Sequence, residues 1–175
     1  MSETNVKTGN RQSTKAKQAP VEDIEDLNLD KIVNVRNLAD WDVGFARRHD
    51  GQGDVQITKN STQRLSRNEI IAQINNGIKL FTGIDGHGGH ATLYIEDAAT
   101  RKYVGFETDD KEQEFFDIEK VKALFTLPQA EYEAGLRNYI VTRAEKHALM
   151  AAIKELGVND YRKIVFATSY TGINI

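Results

Sequence analysis

The apolar residues of this chain change their spacing along its length, and the changes divide it into three parts. In residues 1–20 the only large apolar side chains are Met1 and Val6. From Ile32 to Phe106, with an interruption over Ser66–Gly77, apolar residues recur mainly at every second position, the period of a strand with one buried face. From Val121 to Ala167 they recur at every third or fourth position, the period of an amphipathic helix. Strands followed by helices predict an α+β fold. The expected layout is an extended polar arm over 1–30 and a single α+β domain over 31–175. Within that domain, 31–117 is read as a small antiparallel β-rich body with one inserted helix, and 118–175 as a set of C-terminal helices.

The 175 residues suffice for one ordinary domain. With 39% hydrophobic and 28% charged residues the composition fits a globular protein and excludes a fully disordered one. No run approaches the roughly 18 apolar residues of a membrane span. The N-terminal stretch has no apolar h-region, so a secretory signal is not expected. Cysteine is absent, which removes disulfides, thiol catalysis and thiolate metal sites from consideration. The net charge of −3 gives no global basic field to recommend nucleic acid as a partner.

Ile32, Val33 and Val35 predict a first strand; Trp41, Val43 and Phe45, alternating with Asp42, Gly44 and Ala46, predict a second. His49–Asp54 reads as a loop, and Val55 with Ile57 as another short strand. Ser66 is placed to cap a helix, with Glu69 at the third position of a capping box, Leu65 and Ile70 as a hydrophobic staple, and Gly77 as terminator. Ile78, Leu80 and Phe81 suggest a brief strand. Ala91, Leu93 and Ile95, then Tyr103, Val104 and Phe106, suggest a hairpin, with an exposed acidic run over Asp109–Glu114. Further on, Val121, Leu124 and Phe125 predict a short helix, and Pro128 the first position of the next. Thr142 and Glu145 form a second capping box. Gly157 and Val158 end that helix as a Schellman motif, and Asp160–Ala167 forms the last helix. Trp41, Phe45, Phe81 and Phe106 are assigned to the core.

The segment Phe81–Ala91 gathers Asp85, His87 and His90 among four glycines, a composition that lets a carboxylate and backbone carbonyls approach a cation closely. If the chain holds a metal, these three residues are the candidates. The run Asp85-Gly86-His87-Gly88-Gly89 resembles the DGHGG signature of metal-dependent type 2C protein phosphatases. The resemblance implies Asp85 and the Gly86 carbonyl as ligands of a pair of Mg²⁺ or Mn²⁺ ions that activate water against a phosphate. It covers five residues, and the family's later Asp-Gly and Asp-Asn ligand motifs have no counterpart here. The same residues also serve as a chain reversal, since Asp-Gly pairs and glycines supply positive-φ turns. That is the reading adopted: no catalytic residue, cofactor or metal is expected.

Other chemistry-bearing residues have similar alternatives. His49 follows Arg47 and Arg48 and reads as part of a solvated loop; His147 reads as a rim residue of a helix. Lys146–Gly172 has a helix-turn-helix outline, but the second helix offers only Arg162 and Lys163 as phosphate contacts, and Ile164, Val165 and Phe166 read as packing residues. Ser61, Ser66 and Ser169 lack a nucleophile-elbow setting, and neither a P-loop nor a dinucleotide fingerprint is present.

The arm supplies the remaining candidates. Lys7, Arg11, Lys15 and Lys17 against Glu3 give residues 1–20 a net charge of +3. Val21–Asp30 is acidic and carries Ile24, Leu27 and Leu29, a composition able to dock on its own body or a partner's. The four cations, Ile24 and Leu27 are therefore the expected partner-binding residues. A polar arm on a compact mixed body without a catalytic pattern resembles, in overall style, the small virion proteins of tailed bacteriophages. The resemblance implies a non-enzymatic capsid-decorating or head–tail joining protein, located in the virion or, during assembly, in the host cytoplasm. Its partners would be protein subunits, copies of itself included, with neither membrane nor nucleic acid. The alternative is a metal-dependent phosphohydrolase using the Asp85-Gly86-His87 loop.

Overall fold

A computed structural model describes residues 26–174. The fold is α+β with antiparallel sheets, and its elements divide between two hydrophobic cores. The first strand, β1 (Ile32–Asn37), is the centre of a three-stranded sheet ordered β4-β1-β5, with β4 at Thr62–Ser66 and β5 at Leu93–Ile95. Strands β2 (Val43–Ala46) and β3 (Asp54–Ile57) form a separate hairpin sheet. The registers Val33↔Leu65 and Val35↔Ile95 put four buried side chains on one face of the larger sheet. Val43, Phe45, Val55 and Ile57 join them from the hairpin, as period-two alternation requires.

Asn37, 1% exposed, ties the two sheets together. Its Nδ2 donates to the carbonyls of Trp41 and Ile57, at 2.8 and 3.1 Å, and its Oδ1 accepts from Ala39 N–H at 2.9 Å. A buried amide used on both sides avoids the desolvation penalty of an unpaired polar group.

The β-rich part holds three helices instead of the one expected: α1 (Arg67–Asn75), α2 (Lys79–Thr82) and α3 (Ala98–Tyr103). Ser66 caps α1 as the sequence predicts, its hydroxyl accepting from Glu69 N–H. Glu69 does not complete the box. Its carboxylate turns away to accept the backbone N–H groups of Arg48, His49 and Asp50, pinning the 48–50 loop. The brief strand expected at Ile78–Phe81 is a helix, and the hairpin expected over Ala91–Phe106 does not form: only Leu93–Ile95 is a strand, and the expected connecting loop is helical. Residues 79–82 form a single turn that drives Phe81 edge-on against Phe45, ring centroids 5.6 Å apart. Residues 98–103 form α3 because the Asp97 carboxylate accepts Thr100 N–H as an N-cap. Trp41, expected in the core, is 38% exposed and meets His147 edge-to-face at 5.4 Å.

Four helices enclose the second core: α4 (Ile118–Thr126), α5 (Gln129–Tyr139), α6 (Arg143–Glu155) and α7 (Tyr161–Thr171). Pro128 is the N-cap of α5, one position before the helix begins. The Thr142–Glu145 capping box is complete. The Schellman motif forms as expected, with Val158 N–H on Ile153 O and Gly157 N–H on Lys154 O. Gly135 marks the α4–α5 crossing, where a β-carbon would strike Leu124. Among the described residues no helix is long and apolar enough to cross a membrane.

The polar N-terminal part meets the body at a buried guanidinium. Arg67, fully buried, reaches Asp97 Oδ2 at 2.7 Å, Thr100 Oγ1 at 3.0 Å and the Asn28 carbonyl at 3.0 Å. Backbone bonds from Arg67 N to Lys31 O and from Asn68 N to Leu29 O hold the same stretch. Asn28, Leu29 and Asp30, expected to belong to the arm, are thus bonded to the body, and Leu27 before them is buried.

Burial pushes the Asp97 carboxyl up, but the hydrogen bonds from Thr100 and Arg67 outweigh it and hold it below the ordinary carboxylate value. Hydrogen bonding outweighs burial in the same sense at Glu69. A folded-state pKa below the unfolded one stabilises the fold above the unfolded value, and that stability is lost as pH falls through the folded value. Stability is therefore expected to fall steadily once pH drops below about 4. In urea unfolding at several pH values, Asp97→Asn should lower stability at neutral pH and flatten this acid dependence.

Candidate functional site

The Gly83–His90 bend leaves the end of α2 and returns the chain to β5. Its conformation depends on glycines where a side chain cannot enter. Gly83, at φ +67°, faces Gly89 so closely that a β-carbon would fall on the Gly89 carbonyl oxygen. Gly88, at φ +82°, lies under the Phe106 ring and beside Gln113 Nε2, both under 3 Å from where its β-carbon would be. Bonds from Gly88 N–H to Thr82 O and from Ile84 N–H to Gly89 O close the loop, and Gln113 Nε2 donates to Gly88 O at 2.8 Å.

Asp85 serves this bend internally. Its Oδ1 accepts N–H groups from His87 at 2.8 Å and Gly89 at 2.9 Å. Burial pushes its carboxyl up, but these backbone bonds outweigh the effect and hold it below the usual carboxylate value. His87 is exposed, and Ile84 at 60% exposure projects beside it. His90 turns the other way. It occupies φ +57°, and its Nδ1 lies 2.7 Å from Glu145 Oε1, with Nε2 3.5 Å from Glu114 Oε2. A carboxylate can only accept, so Nδ1 is the protonated nitrogen in the Glu145 contact. The three candidate ligands thus go separate ways: Asp85 caps the bend, His87 faces solvent and His90 joins the helical part. Among the described residues no group of three or more His, Cys, Asp or Glu side chains is placed to hold a metal ion.

Glu145 is the counterpart in the helical part. Its Oε2 accepts the N–H groups of Val141 and Thr142 at 2.8 and 2.9 Å, closing the first turn of α6, while Oε1 holds His90. With side chains 11% and 5% exposed, the His90–Glu145 pair is screened from water and fixes the bend against α6. The Trp41–His147 contact fixes the β1–β2 loop against the same helix. Tyr94 and Phe115, stacked at 4.0 Å, add a third tie from β5 to the segment leading into α4.

A groove of about 290 Å³ lies between β1 and α6. Leu38, Phe116 and the alanines Ala148 and Ala152, one turn apart on α6, supply apolar lining; Asp40, Asp117 and Glu155 supply carboxylates. Asp40 is 3.5 Å from Lys59, and Asp117 caps α4.

The remaining expected residues distribute as follows. His49 pairs with Asp50 at 3.2 Å in an exposed loop. Of the two cations offered to DNA by α7, Lys163 is 8% exposed and donates to the Phe125 carbonyl, leaving Arg162 outside. Val165, read as packing, is 47% exposed. Leu27, read as partner-facing, is 8% exposed and belongs to the body's own buried apolar set. Lys7, Arg11, Lys15, Lys17 and Ile24 lie outside the described residues. Sequence reasoning missed the groove. Its signal was the Ala148, Ala151, Ala152 spacing on α6, which marks a helix face with room above it.

The chain matches no protein-family model, no curated protein and no solved structure at a significant level.

The two glycine environments separate bracket from mere turn. Gly83→Ala should cost more than about 3 kcal/mol, because positive φ and a backbone clash combine. Gly86, at φ +79° with open space around it, should cost only about 1–2 kcal/mol on substitution by alanine. Thermal unfolding of the two variants checks this, and equal losses would contradict the bracket.

Proposed function

We propose that the protein is a non-enzymatic assembly component that binds neighbouring protein subunits through its N-terminal residues. More specifically, we propose a capsid-decorating or head–tail joining protein of a virion. The observation that carries the reading is the use of the Asp85–His90 bend. The Asp85 Oδ1 atom and the inward imidazole nitrogen of His90 are engaged by backbone N–H groups and by Glu145, so the enzyme-like motif acts as a bracket between the two cores. Both cores are built from residues well beyond the N-terminal segment, from Val33 onward. The polar first residues carry charge opposite to the rest: the whole chain is −3 and residues 1–20 are +3, leaving −6 for residues 21–175. A polar segment that orders on binding buries a large area per residue and defers its entropy cost to the moment of assembly.

A chain lacking residues 1–25 should keep the melting temperature of the full chain. Co-produced with the other virion proteins, it should be lost from purified particles, whereas the full chain is retained. Normal retention of the shortened chain would overturn the reading. Mg²⁺- or Mn²⁺-dependent cleavage of a phosphate ester, abolished by Asp85→Ala, would instead establish the phosphohydrolase alternative.

A further inference from the structure

We infer that the groove between β1 and α6 is the seat for the basic segment Lys7–Lys17 of a second copy of this chain. The inference rests on the assembly reading above and names the surface that the arm meets. Three observations support it. First, charge is complementary: the segment carries Lys7, Arg11, Lys15 and Lys17 without an acid, while Asp40, Asp117 and Glu155 line the groove against one cation, Arg36. Arg36 is itself 3.5 Å from Glu96, and Asp40 is 3.5 Å from Lys59, so among the described residues Asp117 and Glu155 are the groove carboxylates with no cation paired to them. Asp110, Glu112 and Glu114, all exposed, outnumber the one cation among them, Lys111, along the chain leading to Phe116.

Second, the groove suits such side chains. Lys and Arg lay their methylene stems on apolar surface while their charged heads reach outward. Leu38, Phe116, Ala148 and Ala152 offer that surface, with carboxylates beside it. Between the cations the segment has only small or polar residues, such as Thr8, Gly9, Ser13 and Ala16, which fit above a helix face of alanines.

Third, the tether is long enough. The chain is anchored from Leu27 and Asn28 onward by burial and by the Arg67 guanidinium. From Lys17 to Asp26 it can span about 30 Å at roughly 3.3–3.6 Å per residue, sufficient to cross an interface. Individual exposed ion pairs are weak and screened by salt, so the contact depends on several acting together and on repetition through the assembly.

Two full-length variants test this by complementation. The arm variant carries Lys7→Glu, Arg11→Glu, Lys15→Glu and Lys17→Glu. The groove variant carries Asp40→Asn, Asp117→Asn and Glu155→Gln; asparagine at 117 still caps α4. Circular dichroism and thermal melting verify that both fold. Sedimentation velocity at low and high salt then reads association, and the fluorescence of Trp41, the sole tryptophan, reports on the adjacent loop–α6 contact.

The wild type should associate at low salt, and each variant alone should associate at least about tenfold more weakly. A mixture of the two should regain a one-to-one complex through the remaining intact arm and intact groove. A groove variant that associates like wild type would overturn this inference and leave the assembly reading standing. An arm variant that associates like wild type would overturn both. A monomeric wild type, or a mixture that fails to pair, would overturn docking between copies, and Trp41 emission that shifts in the monomer on arm reversal would reassign the segment to its own groove.

Discussion

Glu145 holds the molecule's two parts together with its two oxygens. One accepts the N–H groups of Val141 and of the N-cap Thr142, so the helix that carries much of the second core starts where it does. The other grips His90, the last residue of the glycine bend, so the bend is placed relative to that helix. Release of either bond would leave a carboxylate or an imidazole in a site screened from water, where unpaired polar groups are costly. The position of the bend relative to α6 depends on this one side chain, while β5 beyond it is held by its pairing with β1.

This arrangement accounts for a composition that looks catalytic. A carboxylate, two histidines and four glycines in one short run are what a metal site needs, and also what a tight bracket needs. The two uses differ in where the lone pairs point. Here Asp85 Oδ1 turns onto the backbone of its own loop and His90 turns onto a neighbouring helix. The glycines are required by contact, since Gly83 touches Gly89 and Gly88 lies beneath Phe106. The first 20 residues carry a net charge of +3, opposite in sign to that of the rest of the chain.

Much of the fold was legible in the sequence where one local signal decided the outcome. Alternation at Ile32–Val35, the Ser66 cap, the Thr142–Glu145 box and the Gly157 terminator all depend on near neighbours, and all appear as read. Failures occurred where tertiary context decided. Strand β4 reads as polar because Thr62 and Arg64 face solvent, and it exists by pairing with β1. Tyr103 and Val104 look like strand residues, yet they are the last residue and the C-cap of the helix that Asp97 starts, and Tyr103 stays 43% exposed. Trp41 reads as buried from its alternation with Val43 and Phe45, but β2 begins at Val43, and the partner of Trp41, His147, is 106 positions away and invisible to any local pattern. The bend was legible as a turn, but Glu145 as the residue that receives it was not, because helical capping already explained that glutamate.

The most direct test of the bracket is a double-mutant cycle on its central pair. Asparagine tolerates the left-handed backbone at position 90, and glutamine still completes the capping box at position 145. Urea unfolding of His90→Asn, Glu145→Gln and the double variant should give a coupling of about 1–2 kcal/mol, the double variant losing less than the sum of the singles. Additivity within about 0.3 kcal/mol would mean that the two side chains act independently, and would contradict the account.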